Sequence, residues 1–389
     1  MNISAFPVLL FLFWCLLPCA SARSEETKGS SRIEMIEGVR VVHLAGSPHE
    51  MGLQHGRLLK AEIQGLVGYF LKKQKNIFGA SLEDLEKGSK VLVKHIPAPF
   101  MEEMAGVAEG ASVGQSDILY LNTFLDIISM TRPEKAVQCS NFVALPALAG
   151  NGGVVHGRNL DWQADPAIIP ASTVFVLHPD QGVPFICLSW PGIIGTLTGL
   201  NAGHLSLGEM TSASTECTLE GMPVMLLLRT VLQQAKTLDQ AWRLLEAGPR
   251  TTGYNVMIAS GTAESAFVAE MTAHSIGKVE PIGGMLISTN HFVLPALIKV
   301  QAPDPTVKDP AAEETDSLAR HQRLTELLSR HQGRVEASTA EGFLADKAVC
   351  HNTLQSAVML PKTLEMLVAV KGIPAPEGGY VRLRLDEQN

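Results

Sequence analysis

The stretch from Cys139 to Trp162 constrains this chain most, because it predicts how two neighbouring strands pair. Apolar runs flank Asn151-Gly152, a dipeptide that supplies the positive φ angles of a tight hairpin turn. A hairpin here folds the segment carrying Arg158 and Asp161 back beside the strand that begins at Cys139. A thiol, a guanidinium and a carboxylate then meet at one end of a sheet. This grouping suits a cysteine whose thiolate is stabilised and oriented.

Composition excludes some classes of partner. The chain has 389 residues, 46% hydrophobic and 18% charged, so it is long and apolar enough to bury a large core in one or two domains. Its net charge is −8 and it contains no basic run. The electrostatic footprint of a nucleic-acid-binding protein is therefore missing, and attraction to anionic membrane surfaces is not expected.

Residues 1–22 have the pattern of a secretory signal peptide. A short apolar core ends in Ala20-Ser21-Ala22, although no Lys or Arg precedes it and two prolines interrupt it. We expect cleavage after Ala22 and export to the periplasm or the medium. Lipidation at Cys19 is an alternative, because residues 16–19 (LLPC) resemble a bacterial lipobox. No other segment approaches the ~18 apolar residues of a membrane span.

The order of predicted elements indicates an α+β fold. After a strand at 36–44, the region before Cys139 is predicted to be mainly helical, at residues 48–77, 97–109 and 116–130. From Cys139 onward, short strands separated by turn residues predominate, with helices at 222–235, 238–246 and 316–331 and closing strands at 355–385. Strands, then helices, then strands again fit two sheets covered by helices.

Three motifs resemble those of N-terminal-nucleophile (Ntn) hydrolases, in the choloylglycine hydrolase and penicillin acyltransferase group. They are Cys139 with residues 157–162 (GRNLDW), residues 46–56 (GSPHEMGLQHG) and residues 102–111 (EEMAGVAEGA). The resemblance is closest to the penicillin acyltransferase branch, peptidase family C45, and covers residues 36–385. It implies a four-layer αββα sandwich preceded by a mainly helical propeptide.

The resemblance also implies that the precursor cuts itself between Gln138 and Cys139. Residues 23–138 would then form a small chain that stays bound as a partner, and residues 139–389 would form the catalytic chain. Cys139 would carry both the thiol and a free α-amine, whose unperturbed pKa of ~7.7–8 suits a general base near neutral pH. The alternative is a buried structural cysteine at the start of a strand.

The resemblance assigns supporting roles to four further residues. Arg158 would stabilise the thiolate and Asp161 would orient the α-amine, whereas the alternative for both is a surface ion pair. Asn290, in the sequence Ser-Thr-Asn-His, would donate to the oxyanion. Arg320 would support the nucleophile, with Arg323 as the alternative because it lies three residues on along the same helix.

A second oxyanion donor is not evident from the sequence. Related enzymes place an asparagine near the position of Thr211, but none occurs between Met210 and Cys217. Either Thr211 or a backbone N–H would serve, or the oxyanion site differs. Asn201 is interpreted as a turn residue.

Competing motifs are weaker. Residues 110–114 (GASVG) match the G-x-S-x-G nucleophile elbow, but they follow a predicted helix where that motif requires a strand. His49-Glu50 lacks the second histidine of a zinc protease, so no metal or other cofactor is expected. Cys187, Cys217 and Cys350 are interpreted as buried small hydrophobic residues rather than a disulfide scaffold.

Together these features predict an exported, self-processed cysteine amidohydrolase that cleaves linear amide C–N bonds of small N-acyl substrates through a Cys139 thioester. One alternative is an acyltransferase that passes the acyl group to an amine. Another is a degenerate Ntn-fold protein that binds a ligand or partner without turnover. Neither the acyl group nor any higher oligomeric state follows from the sequence.

Overall fold

The structure is a computed structural model that describes Met1 and residues 31–131, 138–149, 153–302 and 317–385. Several predictions lie outside these ranges: the signal segment 1–22, the lipidation candidate Cys19 and the tight turn at Asn151-Gly152. In the described residues, no helix is both long and apolar enough to cross a membrane.

The region before Cys139 is mainly helical, as predicted, but its longest helix is interrupted. The segment predicted as one helix over 48–77 consists of two α-helices and a π-helix that ends at Gln74. Ser47 begins the first of them with a capping box to Glu50. The helices are α1 (Pro48–Leu58), α2 (Lys60–Leu66), the π-helix (Val67–Gln74), α3 (Leu82–Leu92), α4 (Ala98–Ala111) and α5 (Gln115–Thr131).

Helices α1 and α4 pack backbone to backbone through glycines. A Cβ added at Gly52 would lie 2.0 Å from the carbonyl oxygen of Glu103, and one at Gly56 would lie 2.3 Å from that of Val107. Gly106 on α4 has the same close approach to α1. These contacts give a physical reason for the two glycine-containing motifs, because no larger residue fits between the helices.

We expect Gly56→Ala to destabilise the protein by about 3 kcal/mol, because the added methyl group meets backbone that has no room to yield. The matched control is Gly65→Ala on α2, where an added Cβ has no atom within 4 Å. That change should be neutral or slightly stabilising through helix propensity. The thermal midpoints of both variants test the prediction, and equal midpoints would contradict it.

In the described ranges, nine strands form one sheet. Neighbouring strands of this sheet run antiparallel, except that β2 and β7 run parallel. In sheet order the strands are β1 (Arg32–Ile36), β2 (Val39–Gly46), β7 (Thr173–Pro179), β8 (Phe185–Ser189), β9 (Thr198–Asn201), β10 (Leu205–Thr211), β11 (Tyr254–Ser260), β12 (Ser265–Met271) and β13 (Ile276–Val279).

A second sheet of six strands, again counted over the described ranges, carries Cys139. In order these are β14 (Met285–Ser288), β5 (Gln138–Ala144), β6 (Val155–Asp161), β15 (Thr353–Leu360), β16 (Glu365–Ala369) and β17 (Val381–Arg384). A short separate hairpin pairs β3 (Asn76–Ile77) with β4 (Ala80–Ser81). The pairing of β5 with β6 confirms the predicted strand pair around Cys139.

The two sheets stack face to face, and helices cover both outer faces. The N-terminal helices, α6 and α7 lie on the nine-stranded sheet, whereas α9 and α10 lie on the six-stranded sheet. This arrangement confirms the predicted four-layer αββα sandwich. The helices after Cys139 are α6 (Val224–Gln234), α7 (Leu238–Ala247), α8 (Pro295–Ile298), α9 (Ser317–Arg330) and α10 (Ala337–Leu344).

The layer between the sheets is apolar at one end and polar at the other. Valine, isoleucine, leucine and methionine side chains from β2, β7 and β8 meet those of β15, β16 and β17 in one cluster. At the other end, β5 and β6 face β10, where Gly208 lets the sheets approach closely. A Cβ there would lie 2.1 Å from Oδ1 of Asn141. Polar side chains are therefore buried beside Cys139.

One further local prediction was wrong, and two helices were not predicted. The strand predicted over 36–44 is a hairpin, because Glu37 and Gly38 both adopt positive φ and turn the chain between β1 and β2. Those strands join the nine-stranded sheet, so the N-terminal region contributes to a sheet as well as to helices. Helices α3 and α10 were not predicted; α3 begins with a capping box at Ser81 and Asp84, a recognisable start signal.

Candidate active site

Strand register brings Arg158 to the sulfur of Cys139. Cys139 lies opposite Leu160 and Asn141 lies opposite Arg158, so Arg158 is diagonal to Cys139 on the same face of the sheet. That face meets β10. Nη2 of Arg158 lies 3.5 Å from Sγ of Cys139, and both side chains are buried. A fixed guanidinium at this distance favours the thiolate form of the cysteine.

The side chain of Asp161 lies on the opposite face of the sheet from those of Cys139 and Arg158. It lies opposite Gln138 in the register, and side chains three residues apart on a strand point to different faces. The Thr353 hydroxyl donates to Oδ1 of Asp161, while Oδ2 is buried and has no hydrogen-bond partner among the described residues. No hydrogen bond joins Asp161 to Cys139 in that part of the chain.

Asn290 and Arg320 hold the backbone of Cys139. The N–H of Cys139 donates to Oδ1 of Asn290 at 2.7 Å, and Nη1 of Arg320 donates to the carbonyl oxygen of Cys139. Arg320 also donates to Oγ of Ser140 at 2.9 Å and, through Nη2, to Oδ1 of Asn290 at 2.9 Å. Nδ2 of Asn290 donates to the carbonyl oxygen of Thr211 at 2.7 Å. Asn290 therefore faces Cys139 with its acceptor and β10 with its donor.

The two arginines on α9 have separate partners. Arg320 is 1% exposed and reaches the site, whereas Arg323 binds Asp346 at 2.6 Å and Glu326 at 3.3 Å near the surface. Of the two registers left open by the sequence, only the one with Arg320 contacts Cys139.

Glu209 is a neighbour of the site that the sequence analysis missed. Its carbonyl oxygen accepts from Nη2 of Arg158 at 2.9 Å, and its carboxylate Oε2 lies 3.6 Å from the same nitrogen. Thr211 donates to Oε1 at 2.9 Å, so its hydroxyl is directed at Glu209. A single acidic residue inside the apolar strand LSLGEMT is the signal that could have identified it.

Burial has the largest effect on the pKa values of these groups. It raises the pKa of the Cys139 thiol to about 12, against the opposing charges of Arg158 and Arg320. It also raises the pKa of Asp161 to about 6 and that of Glu209 to about 7. In the uncut chain the thiol is therefore protonated at neutral pH.

Glu209 provides a pH-dependent prediction. Because its folded pKa is raised from 4.5 to about 7, its contribution to stability is present below pH 4.5 and lost as the pH rises through 7. Glu209→Gln should match the wild type at low pH and exceed it above pH 7 by on the order of 3 kcal/mol. Thermal midpoints across this range test it, with Glu102→Gln on an exposed surface as the control. A difference independent of pH would contradict it.

Several candidates lie away from the site or have other roles. Asn201 is the buried last residue of β9, and its Nδ2 donates to the carbonyl oxygens of Leu232 and Ala235 at the end of α6. Its own carbonyl oxygen accepts from the N–H of His204 at 2.9 Å, which agrees with its interpretation as a turn residue. Ser112 of the G-x-S-x-G motif ends helix α4.

The other cysteines are free among the described residues, and only one matches its prediction. Cys187 is buried, Cys350 is partly buried, and Cys217 is exposed, so the prediction of a buried residue was wrong for Cys217. Sγ of Cys350 lies 3.2 Å from the hydroxyl of Thr353, the residue that donates to Asp161.

A narrow apolar cleft, about 30 Å³ in volume, adjoins this end of the β5–β6 pair. Trp162, directly after Asp161, stacks on Phe124 with ring centroids 5.7 Å apart and contacts Phe78 at 4.3 Å. Every side chain that lines the cleft is apolar or aromatic: Leu66, Phe70, Ile77, Phe78, Leu121, Phe124, Trp162, Ile168, Trp190, Pro191 and Ile193. The walls of the cleft therefore come from segments that precede Cys139 in the sequence and from segments that follow it.

The fold has two helix-covered sheets, and a buried cysteine is the second residue of the inner strand β5, with polar groups around its backbone. These features define a protein of the Ntn-hydrolase class. The chain belongs to the acyl-coenzyme A:6-aminopenicillanic acid acyl-transferase family, whose family model matches residues 148–369. This class comprises amidases and acyltransferases, and the predicted family relationship is confirmed.

Relatives match most of this chain. An uncharacterized protein of Archaeoglobus fulgidus is 27% identical over 79% of this chain, which spans only 58% of that protein's length. The 40 kDa form of an acyl-coenzyme A:6-aminopenicillanic-acid-acyltransferase of Emericella nidulans is 25% identical over 75% of this chain and 78% of its own. A solved structure of an N-acylethanolamine-hydrolyzing acid amidase ortholog of Caenorhabditis elegans is 19% identical, with a TM-score of 0.44 over 58% of this chain and 93% of that one.

Proposed function

We propose that this protein is a self-processed cysteine amidohydrolase that cleaves linear amides of small N-acyl substrates through a Cys139 thioester. One observation carries the proposal: three separate side chains hold three different atoms of Cys139. Asn290 accepts from its N–H, Arg158 lies beside its Sγ, and Arg320 donates to its carbonyl oxygen. A buried structural cysteine would also need partners for its N–H and carbonyl groups, but it would not need a buried guanidinium beside its sulfur.

The same geometry supports self-processing. In the precursor the backbone nitrogen of Cys139 is an amide and cannot act as a base. Cleavage of the Gln138–Cys139 bond would convert it to an α-amine, held by Asn290 and within the influence of Asp161, whose buried Oδ2 has a free acceptor site among the described residues. Cleavage would also free the chain end at Gln138 to move away from a thiol that is completely buried in the uncut chain.

The catalytic cycle then needs no further cofactor. The α-amine takes the thiol proton, the thiolate attacks the substrate carbonyl, and the amine returns the proton to the leaving nitrogen. The developing oxyanion needs preorganised donors, and we assign Nδ2 of Asn290 to this role once it is released from the carbonyl oxygen of Thr211. Water completes the cycle by hydrolysing the thioester.

The apolar cleft supports an acyl group with a hydrocarbon or aromatic chain. Its lining carries no charged side chain, so it would gain free energy by excluding water from an apolar group but would not recognise a charged one. We therefore propose that the cleft widens to hold the acyl part of the substrate and that the amine part faces the opening.

Intact mass and N-terminal sequencing of the expressed protein test this proposal. We expect two chains, with the larger one beginning Cys-Ser-Asn-Phe at Cys139 and the smaller one ending at Gln138. If the signal peptide is removed on export as we propose, the smaller chain begins at Arg23. A fully active preparation that contains only uncut chain would overturn the self-processing step.

Acyl transfer is the second candidate, and the family match favours it, because the Emericella nidulans relative is named as an acyltransferase. Both reactions share the acyl-thioester and differ only in what attacks it. Product analysis with and without an added primary amine distinguishes them. Free acid in both cases supports hydrolysis, whereas a new amide formed at the expense of free acid supports transfer.

A further inference from the structure

Three buried side chains hold the loop between β8 and β9, in addition to its backbone hydrogen bonds. The N–H of Gly192 donates to Nε2 of His55 at 3.0 Å, and its carbonyl oxygen accepts from Nδ2 of Asn122 at 2.9 Å. The N–H of Ile194 donates to Oδ1 of Asn122 at 2.9 Å, and its carbonyl oxygen accepts from Arg229 at 2.6 Å. Four backbone groups of the loop are thus satisfied by three side chains.

These three side chains are buried, so the contacts matter energetically. His55 is 2% exposed, Asn122 0% and Arg229 1%. Burial and the charge of Arg229 lower the pKa of His55 to about 3, so the imidazole stays neutral and its Nε2 remains an acceptor at neutral pH. Removing one partner would leave a buried backbone group unsatisfied unless the loop moves.

The same loop forms one wall of the apolar cleft. Trp190, Pro191 and Ile193 line it, and all three belong to the segment that these side chains hold. The opposite wall includes Leu121 and Phe124, which flank Asn122 on helix α5. Asn122 therefore ties one wall of the cleft directly to the helix that supplies the other.

We propose that Asn122 and His55 are positioning residues that set which acyl chains the enzyme accepts, by fixing the 190–195 loop against α5 and α1 respectively. This inference rests on the proposed function, because it takes the cleft as the acyl site. Neither residue contacts Cys139 within the described chain. Their loss should change the width of the cleft and leave the chemistry at Cys139 intact.

Asn122→Ala tests the inference, with straight-chain N-acyl aminocoumarins from acetyl to dodecanoyl as substrates. We expect kcat/KM for long acyl chains to fall by about 10–100-fold, mainly through KM, and that for acetyl to change by less than about 2-fold. The matched control is Asn201→Ala. Asn201 is also completely buried and binds three backbone groups, those of Leu205, Leu232 and Ala235, but it does not line the cleft.

Two further variants keep the test decisive if Asn122→Ala folds poorly. His55→Leu removes the acceptor for Gly192, whereas His55→Gln retains an acceptor and should partly restore the chain-length profile. Gly192→Ala perturbs the loop from the other side, because Gly192 has a φ of +87° and an added Cβ would lie 2.9 Å from Leu121. An equal loss for all chain lengths, or the same profile in Asn122→Ala and Asn201→Ala, would overturn the inference.

Ligand binding separates this inference from the proposed function. Trp162 and Trp190 line the cleft, so their fluorescence should report binding of dodecanoate and hexanoate to the folded protein without turnover. A protein that hydrolyses no acyl amide, but whose preference for dodecanoate is lost in Asn122→Ala and kept in Asn201→Ala, would refute the proposed function and support the positioning role. Unchanged binding preference in Asn122→Ala and Gly192→Ala would refute the positioning role whatever the activity.

Discussion

Cys139→Ala is expected to accumulate as a single uncut chain without amidase activity. Both self-cleavage and turnover use the same sulfur in the proposed mechanism, so one substitution should remove both. We expect activity to fall by on the order of 10⁴-fold or more, the scale seen when a nucleophile is removed from a unit that acts together. Intact mass and a rate assay on the same sample measure the two effects.

Cys187→Ala is the matched control, because Cys187 is also a completely buried thiol, with a pKa that burial raises to about 11. It should be cut and remain active. Cys139→Ser should retain slow cutting, since a hydroxyl group attacks less readily at neutral pH. Iodoacetamide should label the cut wild type rapidly at Cys139. Labelling of the exposed Cys217 should leave the activity unchanged. An active Cys139→Ala protein would contradict the proposal.

Arg158→Leu and Asp161→Asn are each expected to lower kcat/KM by about 10²–10³-fold, but with different pH profiles. Loss of the guanidinium 3.5 Å from Sγ should raise the thiol pKa and slow the enzyme most at low pH. Asp161→Asn should alter the titration of the α-amine instead. Rate and alkylation profiles against pH, measured after each variant is shown to be cut, distinguish the two.

The double variant should lose much less than the product of the two single losses, because both residues act on one nucleophilic unit. Arg323→Leu is the control for arginine loss near the site, since Arg323 is bound to Asp346 at the surface. Wild-type pH profiles in both Arg158→Leu and Asp161→Asn would mean that residues 157–162 form only a structural strand.

Local sequence patterns predicted most of the frame around the candidate site. Strands β5 and β6 pair as predicted, but a two-residue turn at Asn151-Gly152 would place Asn141 opposite Trp162, whereas it lies opposite Arg158, so the prediction of a tight turn was wrong. The helix carrying Arg320 was predicted over 316–331 and found over 317–330. These predictions succeed because strand alternation and helical periodicity depend on neighbours in the chain.

The features that the sequence analysis missed depend on contacts between residues of the two stacked sheets. Glu209 lies in β10, far along the chain from Arg158, and only the stacking of one sheet on the other brings them together. The prediction placed Arg158 and Asp161 together, yet they approach Cys139 from opposite faces because strand side chains alternate. Local pattern contains no information about which faces of two distant strands meet.

The sequence by itself determined the α+β class, the β5–β6 pair, the helical N-terminal region and Cys139 with Arg158, Asp161, Asn290 and Arg320 as candidates. Tertiary structure alone decided which atoms of Cys139 each of them contacts. It also decided that Arg320 rather than Arg323 reaches the site, and that an apolar cleft is shared between α5 and the 190–195 loop. The physical reason is that periodicity shows which face of each element is buried, whereas the pairing of buried faces depends on long-range packing.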